Sequence, residues 1–374
     1  MIRLIAGLLL FFAGAAEAQQ GQAVGPTAPC SAFGTASGTC AQGNDIRFGV
    51  ITAQGRLTLT ANTPVMTATA SAQTTLRYDC YLGNTVPYFN GTVDTLDTVA
   101  SCEVTDAMVS AASAGQVVNN NVYDVWWVTG GANKICLAMS AAVGGGGGWS
   151  ADTAGSNTAR GTGYTQLDRI TRPYITNKNS ITNCFNGATN YGPVSANQGT
   201  YLGTVYSSAN GQVSWTLGAS ASGGTAGLLG VWNMYNRVNV ATTVTDSGAS
   251  YTYAVNTVRQ ARASAGNQVS FISGLAEDGV SAFYAGETTL ATILAAGNWI
   301  CIGLDITSNC SSQRFIATND VASTTPSYGQ FAYYIGAPQV GLHVLSANEA
   351  TNSGANANTF DTNSLNAFSV NLRM

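Results

Sequence analysis

The sequence predicts an all-β protein built of antiparallel, sandwich-like or jelly-roll-like domains with long polar loops, and three observations carry that expectation. Short runs alternate apolar and polar residues with the period of two that a half-buried strand requires. From Val231 to Val240, Trp232, Met234, Val238 and Val240 fall on one face and Asn233, Tyr235, Arg237 and Asn239 on the other, with Asn236 the polar exception on the apolar face. Turn signals separate such runs: Asn210-Gly211, Ser222-Gly223-Gly224 and Asp246-Ser247-Gly248 accept the positive φ angles of tight antiparallel connections. Composition agrees, because 9% of the 374 residues are charged while 45% are hydrophobic and 9% aromatic. Such a chain has the apolar surface for a sizeable core and leaves its outer faces polar but neutral.

The elements follow in order. Met1 to Ala18 carries Arg3, an apolar run from Leu4 to Ala16 and the small-residue site Ala16-Glu17-Ala18, the three parts of a secretory signal cleaved after Ala18. Its apolar run is about 13 residues, short of the roughly 20 that span a bilayer, so no membrane span is expected after cleavage. Residues 19–44, rich in Gly, Ala, Ser and Thr, read as an extended arm. An N-terminal β domain is expected over residues 45–150. Within it, Arg56 to Thr60 alternates, Thr75 to Tyr81 alternates with Leu76 and Tyr78 inward, and the run from Gly83 to Gly91 passes through Pro87, which suits an edge or a strand end. Tyr123 to Val128 is apolar enough for a central strand, with Ile135 to Met139 as its partner. Of Trp126 and Trp127, one is expected in the core and the other is open to a role as a platform for a sugar ring.

Gly144 to Gly148 lacks the Lys that a phosphate-cradling loop places after its glycines, so it reads as a flexible loop, and a boundary is expected between residues 150 and 165. A C-terminal β-sandwich domain is expected over residues 165–374. It takes in Ile170 to Ile175, Ser180 to Phe185 and four consecutive strands between Thr200 and Gly286. Thr288 to Ala296 has the pattern of a short helix, and Trp299 to Ile306 returns to strand character. Asn309 to Thr325 reads as loop, Tyr328 to Gly336 and Val340 to Leu345 as strands, and Asn348 to Asn363 as a polar loop before a last strand at Ala367 to Leu372.

All eight cysteines, Cys30, Cys40, Cys80, Cys102, Cys136, Cys184, Cys301 and Cys310, follow the signal, and their even number fits structural disulfides in an oxidising compartment. The nearest-neighbour scheme pairs Cys30 with Cys40, Cys80 with Cys102, Cys136 with Cys184 and Cys301 with Cys310. No C-x-x-C pair occurs and His343 is the one histidine, so zinc ligation and thioredoxin-like redox chemistry lack their usual residues. No cofactor is expected. His343 also has no G-x-S-x-G serine to serve, which leaves it a packed or hydrogen-bonded residue. Glu277, Asp278 and Glu287 form the densest acidic cluster, and Asp124, Asp168 and Asp305 lie in or beside strands, but nothing singles out a catalytic pair. Glu277 and Asp278 read as part of a turn from Gly274 to Gly279. No calcium loop of the EF-hand pattern occurs. With a net charge of -4 the chain offers no basic field for nucleic acid. Surface binding fits the composition better: 16 tyrosines and 6 tryptophans among many Asn and Thr suit a neutral glycan, as they also suit plain β packing.

The order of motifs carries a resemblance. RLTLTANTPVMTATASAQTTLRYDCYLGNTVPYFNGT at Arg56 to Thr92 is followed by VYDVWWV, GTYLGTVYSSANGQVSW, VWNMYNRVNV, SYTYAVNTVRQA, FISGLAEDGVSAFYA, ICIGLDITS and VGLHVLSANE. This series resembles a family of tailed-phage and prophage structural proteins of the tail-fibre or virion type. The resemblance implies an oligomeric particle component, a fibre, spike or decoration that touches the host surface alongside other virion proteins, with no enzyme activity. It carries no catalytic residues across, and His343, in the terminal motif, reads as structural. The secretory signal and the cysteines depart from a protein folded in a reducing cytoplasm, which keeps a second expectation open: a secreted bacterial surface or adhesive protein that binds glycans. Either way the chain is expected outside the cytoplasm, in the periplasm, at the cell surface, in the medium or in a virion.

Overall fold

Four strands set the pattern of the molecule: Asn239–Asp246, Val280–Thr289, Ser327–Gly336 and Asn366–Arg373. Each alternates buried and exposed positions, and each pairs antiparallel with its neighbour in a seven-stranded sheet. Their inner rows are largely apolar: Val240 lies opposite Leu372, while Val244, Phe368 and Tyr284 share one row and Val370 and Ala282 another. Tyr284 meets Phe368 edge-on, with ring centroids 6.3 Å apart. That inner face belongs to one continuous core with the buried side chains of a sixteen-stranded sheet, which makes the architecture an all-β sandwich. A three-stranded sheet and a two-stranded one complete it.

The computed structural model describes residues 52–109, 117–129, 135–138, 167–291, 296–321, 324–337, 340–352, 358–361 and 366–374. The signal segment, the arm with Cys30 and Cys40, the Gly144 to Gly148 run and the boundary expected at 150–165 lie outside them. Strands on the two sides of that boundary pair directly, since Val122–Trp127 runs antiparallel to Thr200–Ala209 from Trp127 opposite Thr200 to Val122 opposite Tyr206. All the described residues belong to one unit, Val50–Met374.

Val122–Trp127 is central, with Thr200–Ala209 on one side and Ile135–Ala138 on the other, and all six of its residues are buried. Trp126 and Trp232 flank Tyr201 at centroid distances of 5.4 and 6.3 Å. A bulge between Tyr201 and Gly203 makes room there, and Gly203 permits the close approach: a Cβ at that position would lie 2.2 Å from the Trp232 carbonyl oxygen.

Several elements differ from the pattern in the sequence. The expected strand from Val231 to Val240 stops at Asn233 and resumes at Asn239, because Asn236 takes a positive φ of 57°. The break serves the edge of Gly55–Thr58. Leu57 N–H donates to Asn233 Oδ1 at 2.6 Å, and Asn236 Nδ2 donates to the carbonyls of Ala53 and Gly55 at 2.9 and 3.2 Å. These amides imitate the neighbouring strand that this edge lacks among the described strands, so Asn233, expected outward, is buried. Arg56, on the face expected to be polar, is buried as well and donates to the carbonyls of Pro64 and Met374 at 2.7 and 3.0 Å. The helix expected from Thr288 is absent from the described part of that run: Thr288 and Thr289 complete a strand that pairs with Tyr328 and Ser327, while residues 292–295 lie outside the described residues. Ile170 to Ile175 and Ser180 to Phe185 are largely irregular. Phe315–Thr318 is a strand inside the run expected to be loop. Gly341–Thr351 likewise extends into the expected polar loop at Asn348, and a further strand forms at Asn358–Asp361.

Candidate recognition surface

Several ionisable residues are buried in the core, among them Arg56, Asp79, Asp106, Asp124 and Glu349. Glu349 is fully buried. It accepts from Arg259 Nε at 2.8 Å, from the Arg262 backbone N–H at 3.2 Å and from the Tyr251 hydroxyl. Arg259 lies over the Tyr253 ring at 3.6 Å, and Tyr251 stacks on Phe360 at 5.5 Å. Burial pushes the Glu349 carboxyl up to about 7, against the pull of these donors, and drives the Tyr251 hydroxyl upward in turn. This cluster joins a strand of the sixteen-stranded sheet to one of the seven-stranded sheet, and its groups are turned on one another rather than on a cleft.

The sequence-derived candidates fare similarly. Glu277 and Asp278 do lie in a turn, and they hold cations: Glu277 Oε2 accepts from Arg237 at 2.8 Å and Oε1 from Arg169, while Asp278 Oδ2 lies 2.6 Å from Arg237. Glu287 sits apart, on the strand Val280–Thr289. Asp124 Oδ1 accepts from Thr204 at 3.0 Å, and Asp168 Oδ1 accepts two backbone N–H groups, from Ile170 and Thr171, both at 2.9 Å. His343 Nδ1 lies 2.8 Å from Asp305 Oδ2 and Nε2 3.1 Å from the Val340 carbonyl, so both ring nitrogens face acceptors. Among the described residues no group of three or more His, Cys, Asp or Glu side chains is arranged to hold a metal.

Three of the four nearest-neighbour cysteine pairs are disulfides: Cys80 with Cys102, Cys136 with Cys184, and Cys301 with Cys310, at Cα separations of 4.9, 5.3 and 5.6 Å. Cys30 and Cys40 lie outside the described residues. Trp126 and Trp127 are both fully buried, which corrects the reading of one of them as a sugar platform. The cause is the strand's central place, covered on both faces, and Trp127 Nε1 donates to Asp97 Oδ2 at 3.3 Å.

What remains is a surface that no single motif announced. On the outer face of the seven-stranded sheet the cross-strand rows read Ala241, Asn371, Ser281, Ile335; then Thr243, Ser369, Phe283, Tyr333; then Thr245, Ala367, Ala285, Phe331. Hydroxyls and amides occupy one half, with Thr243 and Ser369 hydrogen-bonded at 2.9 Å, and large apolar groups occupy the other. Phe283, Phe331, Tyr333 and Ile335 are 42, 49, 53 and 72% exposed. Phe283 stacks on Phe331 at 6.1 Å, and Phe331 meets Phe315 at 4.6 Å, which carries the patch over to the last strand of the sixteen-stranded sheet, where Ile316 is also exposed. Beneath it Gln330 Nε2 donates to Asn298 Oδ1 at 3.0 Å, and Thr288 donates to Gln330 Oε1 at 3.2 Å, so the strand under the patch is pinned from inside. These rows contain no charged side chain. The sequence held the signal in the alternation of Phe331, Tyr333 and Ile335, but alternation alone does not tell which face is covered.

No helix among the described residues is long and apolar enough to cross a membrane. Compared with protein-family models and with curated proteins, the chain matches none.

Proposed function

We propose that this chain is a structural protein of a virion or other extracellular surface, of the fibre, spike or decoration type, which works by contact rather than by catalysis. The observation that carries the reading is the aromatic patch on the outer face of the seven-stranded sheet, where Phe283, Phe331, Tyr333 and Ile335 stand exposed together. Contiguous exposed apolar groups of this kind mark interaction sites on soluble proteins. Export belongs to the same reading: the Met1 to Ala18 segment and the three disulfides suit an oxidising compartment. The ordered motif series between Arg56 and Glu349 supports the virion setting, with other virion proteins and further copies of the chain as partners. Mass spectrometry of density-purified particles from a producing culture is expected to find the chain at structural stoichiometry. Its absence from particles, with recovery in periplasm or medium, overturns the virion reading.

The rows of Thr243, Ser369 and Asn371 beside Phe283 and Tyr333 favour a second reading, a secreted adhesive protein that binds a neutral glycan. Aromatic faces stack on the C–H faces of sugars while hydroxyls and amides take their hydroxyl groups. On a glycan array this predicts retention that falls about tenfold or more in Phe283→Ser, roughly the loss of one good contact. Retention unchanged in that variant, or none by the wild type, overturns it.

A further inference from the structure

We propose that the turn at Asn90-Gly91 is a site of self-modification, where the folded chain converts Asn90 to aspartate and isoaspartate through a cyclic imide while it protects its other two Asn-Gly pairs. The sequence holds three such pairs, Asn90-Gly91, Asn186-Gly187 and Asn210-Gly211. They share one intrinsic chemistry, because glycine has no Cβ to hinder its backbone nitrogen from reaching the carboxamide carbon of the asparagine before it. What separates them is how the fold uses the atoms involved.

At Asn90 the fold assembles the reaction. The residue follows strand Thr85–Phe89 and opens an exposed turn into Asp94–Thr98, closed by its own N–H on the Val93 carbonyl at 3.2 Å. Its Oδ1 accepts two backbone N–H groups, from Thr92 at 2.9 Å and from Val93 at 3.0 Å. Those donors face the oxygen on which negative charge develops when Cγ is attacked. They also hold the carboxamide over its own backbone, which removes much of the entropic cost of ring closure. Gly91 is exposed, with a φ of 97°, and among the described residues neither its N–H nor Asn90 Nδ2 has a hydrogen-bond partner. Hydroxide takes the Gly91 proton, the nitrogen bonds to Cγ, and the Cγ–Nδ2 bond breaks as Nδ2 takes up a proton from water and leaves as ammonia. Water then opens the imide: addition at Cγ gives aspartate, and addition at the main-chain carbonyl of residue 90 gives isoaspartate, whose backbone is one methylene longer. One water enters and one ammonia leaves, with no change of oxidation state.

The other two pairs have these atoms engaged. Gly187 N–H donates to Asp106 Oδ1 at 2.8 Å, and Asn186, itself buried, spends Nδ2 on the carbonyls of Thr105 and Ile135 at 2.9 and 2.8 Å. Gly211 is buried and donates its N–H to the Val117 carbonyl at 2.8 Å, while Asn210 Oδ1 accepts from the Asn119 N–H at 2.9 Å. An N–H held by an acceptor is harder to deprotonate, and swinging its nitrogen onto Cγ sacrifices that bond. The consequence of conversion falls on the hairpin. Phe89 opposite Asp94 is its last rung, and Asp94 Oδ1 accepts from Arg172 and Tyr174, which ties the hairpin tip to the 172–174 segment. Aspartate at position 90 keeps both acceptor bonds, whereas the extra methylene of isoaspartate displaces that rung and loosens the tie.

Peptide mass spectrometry of the full chain, held in mildly alkaline buffer both folded and in denaturant, tests this. Incubation runs until the denatured sample has converted roughly half of its Asn-Gly pairs, so the unfolded chain serves as the clock. In the folded chain Asn90 is expected to convert about tenfold or more faster than Asn186 or Asn210, and in denaturant the three rates are expected to fall within about threefold of one another. Asn90→Asp has no carboxamide to lose and is expected to melt like the wild type while ammonia release from the folded chain falls about tenfold or more. Asn90 left intact in the folded chain, or converted no faster than the other two, overturns the proposal. The same preference for Asn90 in denaturant overturns the assignment of that preference to the fold.

Discussion

At Asp106 a carboxyl group sits almost out of reach of solvent, with Oδ1 accepting the Gly187 backbone N–H at 2.8 Å and Oδ2 without a hydrogen-bond partner among the described residues. Burial pushes it from an ordinary 3.8 up to about 7, the one backbone donor opposing. Between those values the folded chain keeps a proton that the unfolded chain releases, so stability falls as pH rises through the window, by up to about 1.4 kcal/mol per pH unit, and levels off above about 7. Asp106→Asn keeps the acceptor for Gly187 and has no proton to lose. It is expected to match the wild type near the bottom of the window and to melt higher above its top, as thermal unfolding across pH would show; an equal change at both ends contradicts this. Glu349 titrates in the same direction but has a cation partner. Arg259→Ala leaves its carboxylate buried without a cation beside it, a loss of roughly 3–5 kcal/mol at alkaline pH that shrinks on acidification as the carboxyl takes up a proton. Chemical denaturation at the two pH extremes checks it. Neither residue stood out in the sequence: Glu349 lay at the edge of a polar run that reads as loop, and only its strand neighbours and Arg259 make a buried carboxylate tenable.

Among the elements, the strands that alternate cleanly were legible because one of their faces meets the core and the other meets water. Ser327–Gly336 and Asn366–Arg373 fall close to where the period of two puts them. Illegible elements are those where buried polar groups replace the pattern. Val231–Asn233 ends early because Asn233 and Asn236 are used as substitutes for a strand edge, and Thr288 remains in a strand because Gln330 takes its hydroxyl across the sheet. Pairing of cysteines near in sequence was legible for a different reason, since each bridge closes a turn or joins adjacent strands. Cys136–Cys184 ties Ile135–Ala138 to Phe185–Asn186, whose Phe185 pairs with Leu137. Removing that bridge as the double serine variant is expected to cost about 2–5 kcal/mol. Hydrogen exchange is expected to rise first at the small hairpin of Phe185–Asn186 and Thr189–Asn190, and unchanged exchange there would argue that the bridge is dispensable.

For the molecule as a whole, the sequence foretold a neutral all-β body and its aromatic content, and it left open where the aromatics would go. Five tryptophans, Trp126, Trp127, Trp215, Trp232 and Trp299, are buried, and phenylalanine, tyrosine and isoleucine of two adjoining strands went to the outside. No local pattern distinguishes these fates, because they depend on which sheet face finds a cover and which edge finds a strand. If the aromatic patch on the outer face of the seven-stranded sheet is the working surface, its side chains are covered wherever the protein acts. Oxidative footprinting compares the purified chain, diluted until monomeric, with the same chain in its native particle or cell-surface setting. Phe331, Tyr333 and Phe283 are expected to lose reactivity in the native setting while Tyr81, exposed on another strand end, keeps it. Equal reactivity of all four in both settings contradicts the assignment of this surface.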